Sequence, residues 1–369
     1  MKLMKTTEAV GQVLCHDITQ IIPGVKKDAV FRKGHIITKE DIPVLLSVGK
    51  DTIYIWENDE TMMHENEAAQ VLYRMCVYGT NSNETDTKRH CDATESGDSD
   101  STVSKMHPSS VKEGKIEVIA DCDGLLKVDS EKLKKVNSFG EMMIATRHGN
   151  TTVKKDDKLA GTRIIPLVIK KDKLEAASHI CDDGPILDIK PFVVRKAAII
   201  TTGNEVYHGR IQDAFTPVIE KKIAEFGAQM MFHEVFDDDD KKITDGCLHA
   251  IEAGAEIVFC TGGMSVDPDD KTPLAIKNTG ARIVSYGSPV LPGAMFLLSY
   301  YDAGDRLVPI CGLPGCAMYN KRTIFDIVLP RLMARDMILA DELAGLGEGG
   351  LCLNCDVCTF PNCGFGKGF

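Results

Sequence analysis

From Pro191 onward the chain alternates between strand-like and helix-like segments, a pattern that very few architectures satisfy. Residues 196–200 are an apolar run that predicts a strand ending in Thr201-Thr202-Gly203-Asn204-Glu205. Helical spacing follows over 213–226, a strand over 228–236 and a helix over 241–253 with Asp238–Asp240 at its start. A buried strand over 256–260 ends in Thr261-Gly262-Gly263. A short helix over 269–278, a strand over 281–285, a strand over 307–311 ending in Gly312-Leu313-Pro314-Gly315 and a long helix over 318–334 complete the series. Parallel neighbours need a crossover between them, so this alternation predicts a parallel sheet covered by helices on both faces. The fold class expected is α/β, with a three-layer parallel-sheet domain over 191–338.

The 369 residues of the whole chain exceed one domain's usual length, which predicts two or three domains. Residues 1–78 predict a small α/β unit: a strand-and-turn stretch over 25–37, a helix over 39–47, a strand over 52–56 and a second helix over 65–78. The face of that second helix carries Ala68, Ala69, Leu72, Tyr73 and Cys76. Residues 79–110 predict a disordered insertion or linker. Its stretch from 80 to 106 has no Ile, Leu or Phe and cannot bury enough apolar surface to offset its ordering entropy. Residues 111–190 predict a β-rich domain with strands over 116–119, 141–146 and 162–169. Residues 339–369 are a linker, glycine-rich over 345–350, followed by a cysteine-rich tail.

A hydrophobic content of 43% suits a chain with a real core, and a net charge of −11 argues against long-range attraction to nucleic acid or an anionic membrane. Lysines near the start are not followed by an apolar run, and no stretch approaches the roughly 20 apolar residues of a spanning helix. A cytoplasmic protein is therefore expected, and its 13 cysteines are then not a disulfide framework.

Ligands of open parallel sheets bind outside the carboxyl ends of the strands. Three predicted strands end there in glycine turns: Thr202-Gly203, Gly262-Gly263 and Pro314-Gly315. Glycine lets the backbone approach a ligand, and successive amides at such a turn form an anion-binding concavity. Glu205, Asp237, Asp238, Asp267, Asp269 and Asp270 gather at the same edge. Carboxylates tolerate a neighbouring phosphate when a hard cation such as Mg²⁺ lies between them. The competing explanation for Asp238–Asp240 is the helix macrodipole, which favours acids at an N-terminus.

Taken in order, Thr201-Thr202-Gly203-Asn204-Glu205, Asp213, Asp237-Asp238, Thr261-Gly262-Gly263-Met264-Ser265-Val266 through Asp270-Lys271-Thr272-Pro273, and Leu313-Pro314-Gly315 resemble the molybdopterin-binding domain. That domain is shared by Mog-type adenylyltransferases and molybdopterin molybdotransferases. Gly11-Gln12-Val13-Leu14, with Arg32-Lys33-Gly34 and Asp41, is similar to a molybdotransferase start. The resemblance implies a Mg²⁺-dependent enzyme of molybdenum cofactor biosynthesis that inserts molybdate into molybdopterin or adenylyl-molybdopterin. It implies Asp237, Asp270 and Glu205 as catalytic or metal-binding acids. It implies Thr202, Gly203, Asn204, Asp238, Thr261, Gly262, Gly263, Ser265, Pro314 and Gly315 as the pterin and phosphate site. The partners it suggests are a small pterin or nucleotide ligand, a molybdoenzyme and a second copy of the chain. Two positions depart from the pattern: Ala294 stands where a lysine often follows Pro-Gly, and Cys316 stands where asparagine or serine usually follows Leu-Pro-Gly. The missing lysine points to an alternative, a non-catalytic module that holds and delivers the cofactor. Gly262-Gly263 with Pro268-Asp269-Asp270 and Thr272 also resembles the competence-damage-protein domain, which implies nucleotide pyrophosphate hydrolysis.

Cys352, Cys355, Cys358 and Cys363 give C-x₂-C-x₂-C-x₄-C among turn-forming Asn354, Pro361, Asn362 and Gly364. Closely spaced thiolates in a turn-rich segment suit a metal, either Zn²⁺ or a [4Fe–4S] cluster.

Overall fold

The computed structural model describes residues 2–22, 26–55, 59–79, 105–265, 267 and 270–368. Most of the polar insertion (80–104) lies outside these, as do Val266, Pro268 and Asp269. The chain divides into two compact units. The first comprises Met1–Asp121, Val128–Arg147 and Lys155–Asp188, and the second Cys122–Lys127, His148–Lys154 and Ile189–Phe369. This partition differs from the sequence boundaries because the helix at Glu65–Val77 packs on strands drawn from the β-rich stretch.

In the first unit that helix buries Ala68, Ala69, Leu72, Tyr73 and Cys76, the face its spacing predicts. It packs against Lys115–Ala120 and Lys158–Ile164, which with Met106–Pro108 and Met142–Thr146 form a four-stranded antiparallel sheet. Met106–Pro108, assigned above to the polar insertion, is therefore a strand: Met106 is buried and pairs with Ala120. The single strand expected over 162–169 is instead two, Lys158–Ile164 and Val168–Lys170. Pro166 lies between them and has no N–H for a ladder. The β-rich stretch also holds two helices, Ser130–Asn137 and Lys171–Ser178. The first is capped by Asp129, whose carboxylate accepts from the Lys132 N–H at 2.9 Å. Nearer the start, Leu14, Ile18, Ile37, Leu45, Ile53 and Ile55 close a small apolar core.

The second unit is built on β1 (Lys196–Thr202), α1 (Asn204–Tyr207), α2 (Thr216–Ala224), β2 (Gln229–Phe236), α3 (Asp240–Glu252), β3 (Ile257–Thr261), α4 (Thr272–Asn278), β4 (Arg282–Tyr286), β5 (Leu297–Asp302), β6 (Leu307–Leu313), α5 (Ile324–Met333) and α6 (Ala340–Gly345). The six strands run in the order β2-β1-β3-β6-β5-β4. β2, β1, β3 and β6 are parallel, while β5 runs antiparallel to both its neighbours. The sheet is thus mostly, not wholly, parallel. An antiparallel β4–β5 pair needs only a loop, so no helix marks the connection in the sequence.

Successive residues of β1 point to opposite faces. Ala197 and Ile199 enter one core with α2 and α5, while Ala198 and Ile200 enter the other with α3 and α4. These two cores are the physical content of the three-layer arrangement. α5 starts at Ile324, later than expected, because Thr323 and Asp326 form a capping box there. Residues 315–317 ahead of it make only a 3₁₀ turn. The segment after α5 is not a loose linker: Leu343 and Phe365 are buried in the α2/α5 core, and Cys352, Phe360 and Cys363 pack against it.

Candidate ligand and cation site

Pairing across the four parallel strands places Val235, Thr201, Thr261 and Leu313 side by side. Gly203, Gly262-Gly263 and Pro314-Gly315, the three glycine turns, therefore leave one edge of the sheet through adjacent strands, as the carboxyl-end rule requires.

The first two turns touch. Gly262 has φ +83°, and a Cβ there would stand 2.1 Å from the Thr202 carbonyl oxygen. Gly263, at φ +54°, lies less tightly against Thr272, whose hydroxyl a Cβ would approach to 2.8 Å. Thr202 and Thr261 are buried. The Thr202 hydroxyl donates to the Thr261 carbonyl at 3.2 Å, and the Thr272 hydroxyl donates to the Gly262 carbonyl at 2.9 Å. Of the two threonines expected at the ligand, Thr202 thus ties the turns together with its hydroxyl and Thr261 with its carbonyl. Thr272, in the motif but outside the expected site, completes the same knot. Pro314 is buried, and Gly315 and Ser265 are exposed at the rim.

A second cluster fixes the segment between β1 and α2. Asp213 accepts from the hydroxyls of Thr201 at 2.9 Å and Thr216 at 2.6 Å, and from the Phe215 N–H at 2.8 Å. Burial works to raise the Asp213 pKa, but these hydrogen bonds outweigh it and hold the carboxyl below its usual range. Asp213 is a positioning residue, and its neighbourhood is legible in the sequence only as a motif position.

The acids separate into distinct roles. Asp239 caps α3, accepting from the Lys241 and Lys242 N–H groups at 2.9 and 3.2 Å. Asp240 accepts from the Asn278 amide at 3.1 Å. The macrodipole explanation therefore holds for these two, but not for Asp238, which accepts from the Asn204 N–H at 3.1 Å. Burial raises the pKa of Asp238, and the charges of Glu205, Asp270 and Asp237 raise it further. Three carboxylates thus lie within electrostatic reach of Asp238. Asp270 accepts from the Ser265 N–H at 2.8 Å, and the Glu205 carboxylate folds back over Gly203.

Asp237 receives the Lys242 ammonium on Oδ2 at 2.7 Å, while its Oδ1 is buried with no hydrogen-bond partner. A buried carboxylate oxygen without a donor is costly, and a cation satisfies it directly. Among the described residues no group of three or more His, Cys, Asp or Glu side chains is assembled to hold a metal alone. That is compatible with Mg²⁺, which takes one or two protein carboxylates and fills its remaining positions with water and phosphate oxygens. Lys242, which no motif flagged, is a lysine at this edge of the sheet, whereas position 294 has none.

The four tail cysteines line one cavity of about 240 Å³. The first unit has its own polar cleft of about 370 Å³, bordered by His16, Lys50, His64, Glu65 and Arg163. Burial lowers the pKa of both histidines there, and nothing in the sequence marked the cleft. Among the described residues no helix is long and apolar enough to cross a membrane.

Sheet order, the two-sided cores and the glycine edge together define a three-layer α/β domain with a glycine-lined edge at its strands' carboxyl ends. Residues 198–334 match the family described as "Probable molybdopterin binding domain", and this segment is a member of that domain family. Residues 3–57 match a domain of unknown function (DUF8806). Among curated proteins, the chain is 32% identical over 129 residues to a putative competence-damage inducible protein of Bacillus cereus (strain B4264), covering 35% of this chain and 30% of that protein. It is 26% identical over 156 residues to the protein of the same name from Clostridium kluyveri, covering 37% of each. The chain spans about a fifth to just over a third of the length of the first curated relatives it matches. Among solved structures it is similar to the tungsten cofactor synthesizing protein MoaB from Pyrococcus furiosus. That match has 18% identity and a TM-score of 0.30, covering 38% of this chain and 89% of that one. It is also similar to the CinA protein from Thermoplasma acidophilum, with 19% identity and a TM-score of 0.28, covering 34% and 92%.

Proposed function

We propose that the glycine edge of the second unit binds molybdopterin or its adenylate, with Mg²⁺ between the ligand's phosphate and the acids, and that the protein acts in molybdenum cofactor biosynthesis. The reaction is insertion of molybdate into adenylylated molybdopterin with release of AMP. The observation that carries this reading is the buried, donor-less Oδ1 of Asp237, one of three carboxylates whose charges act on Asp238. Such an acid cluster repels a phosphoester unless a cation intervenes. Backbone amides of the Gly262-Gly263 and Pro314-Gly315 turns bind the phosphate, and Asp237 and Asp270 hold the cation. Mg²⁺ supplies charge neutralisation at the pyrophosphate.

The test is AMP release from adenylylated molybdopterin on adding molybdate, with and without Mg²⁺. Turnover is expected for the natural chain and lost in Asp270→Asn with the fold intact. Molybdopterin binding without AMP release selects instead the delivery module that Ala294 suggests. The names of the curated relatives favour a further alternative, hydrolysis of a dinucleotide pyrophosphate at the same edge. Turnover of ADP-ribose in place of the pterin adenylate selects it.

A further inference from the structure

We infer that the tail cysteines hold a polynuclear iron–sulfur cluster rather than a single zinc ion. All four thiols, Cys352, Cys355, Cys358 and Cys363, border one cavity of about 240 Å³. The segment carrying them is anchored at both ends. The Cys352 N–H donates to the Leu291 carbonyl at 2.8 Å, the Gly366 N–H donates to the Gly349 carbonyl at 3.0 Å, and Phe365 is buried in the core. The cavity is therefore a formed feature of the second unit rather than a gap in a loose tail.

Its size decides between the two metals. A tetrahedral zinc with Zn–S of about 2.3 Å draws its sulfurs to within about 4 Å of one another and leaves no space between them. Here the four cysteines instead line an open volume of about 240 Å³, more than a single ion fills. A cluster whose iron and sulfide fill the space between four cysteines suits that arrangement.

The charge is also matched. Four thiolates around such a core leave a net negative group, and two cations border the cavity, Lys321 and Arg322. Lys321 donates to the carbonyls of Cys355 at 3.3 Å and Asp356 at 3.1 Å, which pins the turn between the second and third cysteines. Arg322 pairs with Asp326 at 2.8 Å and stacks 5.0 Å from the Phe360 ring centroid. Equal parts ferric and ferrous iron with sulfide make up the core, so assembly needs no outside oxidant or reductant. The four thiols release their protons as they ligate.

The experiment uses the full chain, purified without oxygen and then incubated with both iron salts and sulfide. Expected are about four iron and four sulfide per chain, a brown protein with a visible charge-transfer band, and an electron-spin signal on reduction. In the double variant Cys355→Ala/Cys358→Ala the band and the iron are lost while the melting temperature of the metal-free protein is unchanged, since both residues are exposed. A colourless protein with one zinc per chain overturns the inference. So does a protein that takes up no metal, or a double variant that keeps its iron.

Discussion

The hydroxyl of Thr202 lies 3.0 Å from that of Thr272, although the two are 70 residues apart in the chain. Through this contact the turn after β1 is tied to the start of α4, across the Gly262-Gly263 turn. Thr272 is fully buried and also donates to the Gly262 carbonyl. Thr272→Val keeps the shape but leaves buried partners unsatisfied, at about 1–3 kcal/mol. Denaturant unfolding is expected to show that loss, and Thr272→Ser to recover most of it. Equal stability of Val and natural chains removes this role for the pair.

Glycine at 262 is required twice over, by its φ of +83° and by the approach of the Thr202 carbonyl to 2.1 Å of any Cβ. Gly304 has a similar φ of +90° but open space around it. Gly304→Ala should therefore cost only the left-handed backbone term, about 1–2 kcal/mol. Gly262→Ala should cost clearly more and abolish molybdopterin binding, because the two turns must separate. Matched losses in a thermal melt of the two variants contradict the close-approach explanation.

Much of this edge was readable beforehand because it rests on short-range rules. Glycines after apolar strands, and acids following them, are visible in the order Thr202-Gly203, Asp237-Asp238, Gly262-Gly263, Pro314-Gly315. What could not be read depends on contacts that exist only in the folded arrangement. The Asp237–Lys242 pair appears only once α3 folds back on β2, and the Thr202–Thr272 contact only once two strands lie side by side. The antiparallel β5 was missed because a loop, not a helix, precedes it. α5 was started too early because 318–323 has helical composition, whereas the Thr323–Asp326 box sets the true start. The helices at Ser130–Asn137 and Lys171–Ser178 were hidden by strands on either side, although Asp129 was a readable cap.

The unpartnered Oδ1 of Asp237 makes a direct prediction about magnesium. Cation binding to the folded state alone raises stability by about 2.7 kcal/mol when Mg²⁺ is a hundredfold above its dissociation constant. A Mg²⁺-dependent rise in melting temperature is expected for the natural chain. In Asp237→Asn, whose amide offers the cation less charge, the rise is expected to shrink or vanish. A magnesium shift of equal size in both proteins moves the cation away from Asp237.

Asp336 anchors the second unit through a buried ion cluster, and its titration sets an acid limit on that unit. It is 6% exposed and accepts from Lys127 at 2.8 Å, Lys190 at 2.6 Å and Arg331 at 2.6 Å. Burial opposes ionisation, but these three cations prevail and hold its pKa at about 2, below the ordinary 3.8. A depressed carboxylate contributes stability that is fully present above its unfolded-state pKa. That contribution is lost progressively as pH falls from about 4 through about 2. Asp336→Asn removes the charge and leaves three cations facing an amide, which should cost about 3–5 kcal/mol near neutral pH. The penalty should narrow in acid, because the natural carboxyl is by then protonated as well. Urea midpoints of both proteins measured between neutrality and pH about 2 test this. A gap that stays constant across that range means the cluster does not depend on the ionised carboxylate.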